Sequence, residues 1–359
     1  MTADAFDGVR ALLTRAVTER ASPATVIEVG GVEGPCWSQA FGTLHYASGA
    51  PPAHADTVFD LASLTKAIAT TTVAMILLEA GRLHLDDTVS RWLPEWRGAD
   101  RADVTILDLL AHSAGLTAYL PFYRDHTGRA EFQHVISTLP LEYRPGSQSI
   151  YSDLGFMLLG FILEDAGQSP LDQQFSITAE QLGLDALVFN PPRQWRSRIA
   201  PTELDPWRGR LLVGEVHDEN CWALGGVAGH SGLFGAAAPV GRFARAILQT
   251  LGGRRTFVGP RTLSRFVAPS TVPGSSRALG WDTMLTTSSC GHKMSASAIG
   301  HTGFTGGSLW VDPRLDLYVV LLSNRVHPSR ENDAMGHLRP LVHDAVVNAW
   351  RPQGGVDGR

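Results

Sequence analysis

Residues 60–83 read DLASLTKAIATTTVAMILLEAGRL. From Ala67 to Leu78 the segment is apolar on nearly every face, which predicts a helix buried inside a domain rather than lying on its surface. Near its start stands Lys66, three residues after Ser63, in a chain with only two lysines, Lys66 and Lys293. Arginine would not serve at position 66: a guanidinium holds its proton to a pKa above ~12, whereas a desolvated ammonium can be driven towards neutrality and act as a base. Residues three apart share a helix face, so the spacing predicts the Lys66 ammonium within reach of the Ser63 hydroxyl. Ser63 itself is expected beside unpaired first-turn N–H groups, which favour a developing negative charge.

Before this helix, the apolar runs ATVIEVG (24–30) and CWSQAFGTLHY (36–46) flank the glycine-rich GVEGP and read as a strand hairpin. Towards the other end, SASAIGHTG (295–303), GGSLWVD (306–312) and DLYVVLLSN (316–324) repeat the pattern, and a helix is expected over about 331–350. The middle carries helical patterns such as TILDLLAHSAGL (105–116) and LGFMLLGFILEDAG (154–167). The expected class is α/β (α+β): an antiparallel sheet built from both chain termini and flanked by helices, with an inserted, mainly helical domain. Residues 1–60 plus 288–359 are assigned to the sheet domain and 61–287 to the helical one.

Composition bounds the function. The chain has 359 residues, 44% apolar and 18% charged, with a formal net charge of −5. These values fit a folded enzyme and give no basic footprint for nucleic acid. No apolar run approaches the ~18 residues of a membrane span, and the first twenty residues lack the pattern of a secretory signal, so a cytoplasmic protein is expected. Cys36, Cys221 and Cys290 show no paired spacing that suggests a disulfide framework or zinc knuckle. No Gly-x-Ser-x-Gly elbow, Walker loop or dinucleotide fingerprint is present, and no metal or other cofactor is implied.

Two further stretches bear on Ser63. YRPGSQSIYSDLGFMLLG (143–160) presents Tyr151 and Asp153 just before a buried-looking helix, and IGHTGFTGGSLW (299–310) presents His301, Thr302 and Gly303 on a terminal strand. Together with SLTK they resemble, in order, the three motifs of the serine β-lactamase and penicillin-binding protein superfamily, in particular its class C β-lactamase-like branch with carboxylesterases, D-amino-acid peptidases and amidases. The likeness runs through nearly the whole chain, including RLHLDDTVSRWLPEW and ILDLLAHSAGL. It implies Ser63 as nucleophile, Lys66 as its activating partner and Tyr151 as a second proton-transfer group. It also implies an oxyanion hole from the backbone N–H groups of Ser63 and Phe304, with Asp153, His301, Thr302 and Gly303 against the substrate.

Two positions depart from that pattern. Asp153 stands where the second motif usually has Asn, removing an amide donor. His301 replaces the lysine that commonly heads the third, which predicts a pocket without its fixed positive charge and shifts the expected substrates towards neutral esters, then small amides or D-configured peptides, then β-lactams. The expected partner is a small ester or amide; oligomeric state stays open, as do the alternatives of an acyltransferase or a non-turnover penicillin-binding sensor. The cluster Glu215, His217, Asp218, Asn220 and His230 reads chiefly as a hydrogen-bonded loop, and His112 as a structural histidine. Trp195, Trp207, Trp222, Phe122 and Phe304 are candidate pocket aromatics.

Overall fold

A computed structural model describes residues 3–350 of the chain; the outermost parts of the expected terminal domain, 1–2 and 351–359, lie outside the described residues. The N-terminal helix α1 (Asp7–Thr18) leads into the hairpin β1 (Ala24–Gly31) and β2 (Gly34–Gly42). The segment that carries Ser63 continues into α2 (Thr71–Glu79), and two long helices follow, α3 (Asp153–Gly167) and α4 (Ala237–Leu251). The chain closes with β3 (Asp282–Thr283), β4 (Ile299–Thr302), β5 (Ser308–Asp312), β6 (Leu317–Ser323) and α5 (Ala334–Ala349).

These six strands form one antiparallel sheet in the order β2-β1-β6-β5-β4-β3. The first and last long strands meet at its centre, with Ile27 opposite Leu321 and Val29 opposite Val319. Every residue of β1 and β6 is buried because the sheet is covered on both sides. Strand alternation sends Val26, Val320 and Leu322 into one core with Val240 and Phe243 of α4. It sends Ile27, Val319 and Leu321 into a second core with Leu13 of α1 and Val342 of α5. The covering helix α4 and edge strand β3 both come from within 61–287, so the sheet layer recruits chain beyond the two terminal segments.

On the α4 side the same core extends through α2 and α3. Eleven of the fifteen residues of α3 are buried, as its all-round apolar sequence requires, and its first turn is capped by Ser152, whose Oγ accepts from the Gly155 N–H at 3.2 Å. Burying each large side chain of this kind contributes roughly 1.5–3 kcal/mol. That packing fixes the start of α3 beside the start of the Ser63 segment.

Candidate active site

Ser63 sits on a strained turn. Ala62, immediately before it, has φ of 46°, a left-handed conformation that a residue with a side chain adopts only when its surroundings hold it there. Buried Asp60 does the holding: one carboxylate oxygen accepts from the Ala62 N–H at 2.8 Å, the other from the His217 N–H at 2.7 Å, and its backbone carbonyl accepts from the Thr305 hydroxyl at 2.7 Å. One aspartate therefore ties together the serine turn, the His217 loop and the chain that follows β4. Burial raises the Asp60 pKa, opposed by the N–H donors of His217 and Ala62.

After Ser63 the backbone winds as a π-helical turn over Lys66–Thr70 before continuing into α2. This differs from the regular helix read from the sequence; widened turns of this kind recur at functional sites because they re-aim side chains. Lys66 is fully buried. Its Nζ donates to Ser63 Oγ at 3.0 Å, to Asp153 Oδ1 at 2.7 Å and to the His230 carbonyl at 2.9 Å. The His230 loop reaches Lys66 because Gly229 lies directly against Gly160 of α3, where a Cβ on either residue would strike backbone within 3.0 Å.

Desolvation alone would drive the Lys66 ammonium towards neutrality, but the Asp153 carboxylate and Tyr151 outweigh it and hold the Lys66 pKa above its ordinary value. Tyr151 is raised by burial, with the Lys66 charge acting to lower it. The phenol ring packs with its centroid 4.8 Å from Lys66 Nζ and 4.7 Å from the His112 ring. His112 accepts the Ser152 N–H through Nδ1 at 3.0 Å, so this histidine anchors the chain between Tyr151 and Asp153.

Strand β4 brings the third motif to the same place. Gly303 approaches the serine turn so closely that a Cβ there would lie 2.6 Å from the Leu61 carbonyl oxygen. Beyond it Phe304 is half exposed. Among the described residues the backbone N–H groups of Ser63 and Phe304 donate to no other protein group. His301 is buried, and burial, followed by the charges of Lys66 and Arg277, lowers its pKa to about 3. Its Nδ1 lies 2.8 Å from the Thr302 carbonyl, so the neutral ring carries its proton there and leaves Nε2 as a lone-pair acceptor.

These groups open on a cavity of about 670 Å³ lined by Ser63, Tyr151, Asp153, His301, Thr302, Gly303 and Phe304. All of the sequence-selected site residues except Lys66, which is hydrogen-bonded to Ser63, therefore line one cavity. The cavity also contains cations that the sequence reading missed: Arg277, Arg325, Arg330 and Arg339. Arg330 is neutralised by Glu203 and Glu219. Arg325 and Arg339 instead donate to backbone carbonyls, Arg325 to Phe304 at 2.8 Å and Arg339 to Gly303 at 2.9 Å. The inference of a pocket without fixed positive charge thus fails: the charge absent at His301 is supplied from after β6 and from α5. No spacing rule links those arginines to the motif.

Of the candidate aromatics, only Phe304 lines the cavity; Trp207 and Trp222 pack edge to face at 5.3 Å away from it. In the polar loop, His217 pairs with Glu203 at 2.9 Å and stacks on Phe304, while Asn220 ties down Tyr123 and Leu120. Asp218 caps the short helix Glu219–Ala223 and meets His230 at 2.8 Å. Glu215 pairs with Arg208 and Arg210. This loop also supplies the His230 carbonyl to Lys66, a backbone group that carries no sequence signal.

The sheet, its helical partner and the serine–lysine turn between them define a protein of the β-lactamase/transpeptidase fold. The Beta-lactamase family model matches residues 9–343, and the chain belongs to that family. A Salmonella agona (strain SL483) protein named "Putative D-alanyl-D-alanine carboxypeptidase" is 34% identical over 307 residues, covering 76% of this chain and 70% of its own. Among solved structures, EstCE1, described as a hydrolase with promiscuous acyltransferase activity, superposes with a TM-score of 0.76 at 23% identity over 96% of this chain and 99% of its own. Simvastatin synthase (LovD) from Aspergillus terreus does so with a TM-score of 0.75 at 20% identity over 99% of this chain and all of its own. At those identities the two structures speak to the fold alone. No helix among the described residues is long and apolar enough to cross a membrane.

Proposed function

We propose that the protein is a serine acyl hydrolase that works through an acyl-enzyme on Ser63. The observation that carries the reading is the 3.0 Å contact between Ser63 Oγ and a buried, ion-paired lysine at the floor of the cavity. A substrate carbonyl placed over Ser63 would direct its oxygen at the N–H groups of Ser63 and Phe304, and donors so arranged lower the barrier to a tetrahedral oxyanion by roughly 3–4 kcal/mol each. Ser63 Oγ attacks, its proton passes into the Lys66–Tyr151 pair, and the leaving group departs with a proton from the same pair. Water then repeats the sequence on the acyl-enzyme.

Esters and small amides are the substrate class. Arg325 and Arg339, which among the described residues have carbonyl but no carboxylate partners, favour a second reading in which the preferred substrate carries a carboxylate near the scissile bond. The carboxypeptidase name of the Salmonella relative points the same way. A panel of chromogenic esters, a D-alanyl-D-alanine peptide, its C-terminal amide and a cephalosporin separates these. Turnover of at least one ester is expected, with the free-carboxylate peptide preferred to its amide if the arginines act as read. Ser63→Ala should abolish turnover with an unchanged melting curve; undiminished hydrolysis in that variant removes the assignment.

A further inference from the structure

The three hydrogens of the Lys66 ammonium have three acceptors: Ser63 Oγ, Asp153 Oδ1 and the His230 carbonyl. In this state the nitrogen has no lone pair to offer. It can take the Ser63 proton only by releasing one of its own. Of the other two acceptors, an amide carbonyl is not a proton acceptor in this chemistry, whereas a carboxylate oxygen can form an O–H bond. We propose that Asp153 is the proton store of the site, receiving a proton from Lys66 as Lys66 receives the proton of Ser63. The inference rests on the acyl-enzyme reading above and specifies where its proton goes.

The step balances. The Ser63 O–H bond breaks and a Lys66 N–H bond forms, while another Lys66 N–H bond breaks and an Asp153 O–H bond forms. The Ser63 oxygen pair makes the new bond to the carbonyl carbon, and the carbonyl π pair moves to its oxygen. When the intermediate collapses, that pair returns, the bond to the leaving group breaks with its electrons, and the Asp153 proton travels back through Lys66 to the leaving group. The carboxylate is then restored for deacylation, with water in place of Ser63. Lys66 gains one proton and loses one, so it stays an ammonium throughout, while the negative charge passes from Asp153 to the tetrahedral oxygen and back.

Tyr151 does not compete as the store, since burial keeps it a neutral phenol, able to pass a proton on but not to retain an extra one. The other groups whose charge bears on the pair are His112 and His301, both held neutral by burial, Arg277 across the Tyr151 ring, Asp218 on the His230 side, and the buried thiol of Cys221. Asp153 acts through the lysine and is in that sense a positioning residue. The Asn usual at this position cannot do this work, which gives the departure from the motif a chemical purpose.

Asp153→Asn keeps the size and an acceptor for Lys66 but cannot store the proton. Acyl-adduct formation on Ser63 is first established by mass spectrometry with an activated ester, in wild type and variant; no adduct in the wild type sinks the acyl-enzyme reading itself. With the adduct present, Asp153→Asn is expected to lower kcat/KM at pH 7 by ~10²-fold, the usual contribution of a positioned base. It should also move the acid limb of kcat/KM to higher pH, because Lys66 must then lose a proton to solvent before it can act. A profile superimposable on the wild type overturns the proposal while leaving the acyl-enzyme intact. If the variant fails to fold, a proton inventory of acylation in the wild type decides: a bowed curve, two protons moving together, is expected, and a straight line overturns the proposal.

Discussion

At the scale of single residues, the sequence made Ser63 and Lys66 legible because a helix imposes its spacing on neighbours and because lysine is so scarce here that its placement carries information. The state of Lys66 was not legible. It depends on Asp153, 87 positions away, lying at 2.7 Å, and on the His230 carbonyl, 164 positions away. Desolvation alone favours a neutral amine, and only the folded contacts reverse the sign. The same holds for His301: its neutrality at pH 7.5 followed from its ordinary pKa, but its burial beside Arg277 and Lys66 makes that neutrality persist far into acid. Arg325 and Arg339 escaped notice because arginines are common in this chain and nothing in their local pattern sets them apart.

Among the elements, period-2 runs at both chain ends gave the strands of the sheet, and the apolar stretches gave α2 and α3, because each is buried on all sides and its sequence has no polar face to mislead. The π-helical turn over Lys66–Thr70 was not legible, since KAIAT contains no residue that forces a widened turn. The chain after β4 meets the serine turn at Gly303, so Gly303→Ala is expected to push that chain off the turn and spread the two oxyanion donors. The expected cost is ~1–3 kcal/mol of stability, as for other overpacked sites, with at least a ~10-fold fall in kcat that exceeds any change in KM. Wild-type kcat in a folded Gly303→Ala protein would show that the close approach is not needed for the chemistry.

For the whole molecule, the buried histidines set the response to acid. His301 and His343 are pushed down to about 3 and His112 well below its ordinary value, in each case first by burial. The folded state therefore refuses protons that the unfolded chain accepts below ~6.5, so the stabilisation is complete above that pH and lost progressively as pH falls towards 3. Asp218, brought to about 2 by His230 against the effect of burial, adds a loss of the same sign below the ordinary carboxylate range. Each such histidine is expected to remove up to ~1.4 kcal/mol per pH unit. Urea midpoints should fall steadily from pH 7 to pH 5 at constant m-value; a flat midpoint over that range would contradict the assignment of these histidines as neutral and buried.

The molecule is organised so that one aspartate, one glycine contact and one ion pair converge on a single hydroxyl, and the proposed chemistry requires that hydroxyl to become acylated. Incubation with an activated ester, rapid acid quench and peptide mapping by mass spectrometry tests this most directly. A mass increase equal to the acyl group, confined to the peptide bearing Ser63 and lost in Ser63→Ala, is the predicted result. Turnover of the ester with no adduct at any quench time, or an adduct on a different residue, would contradict it.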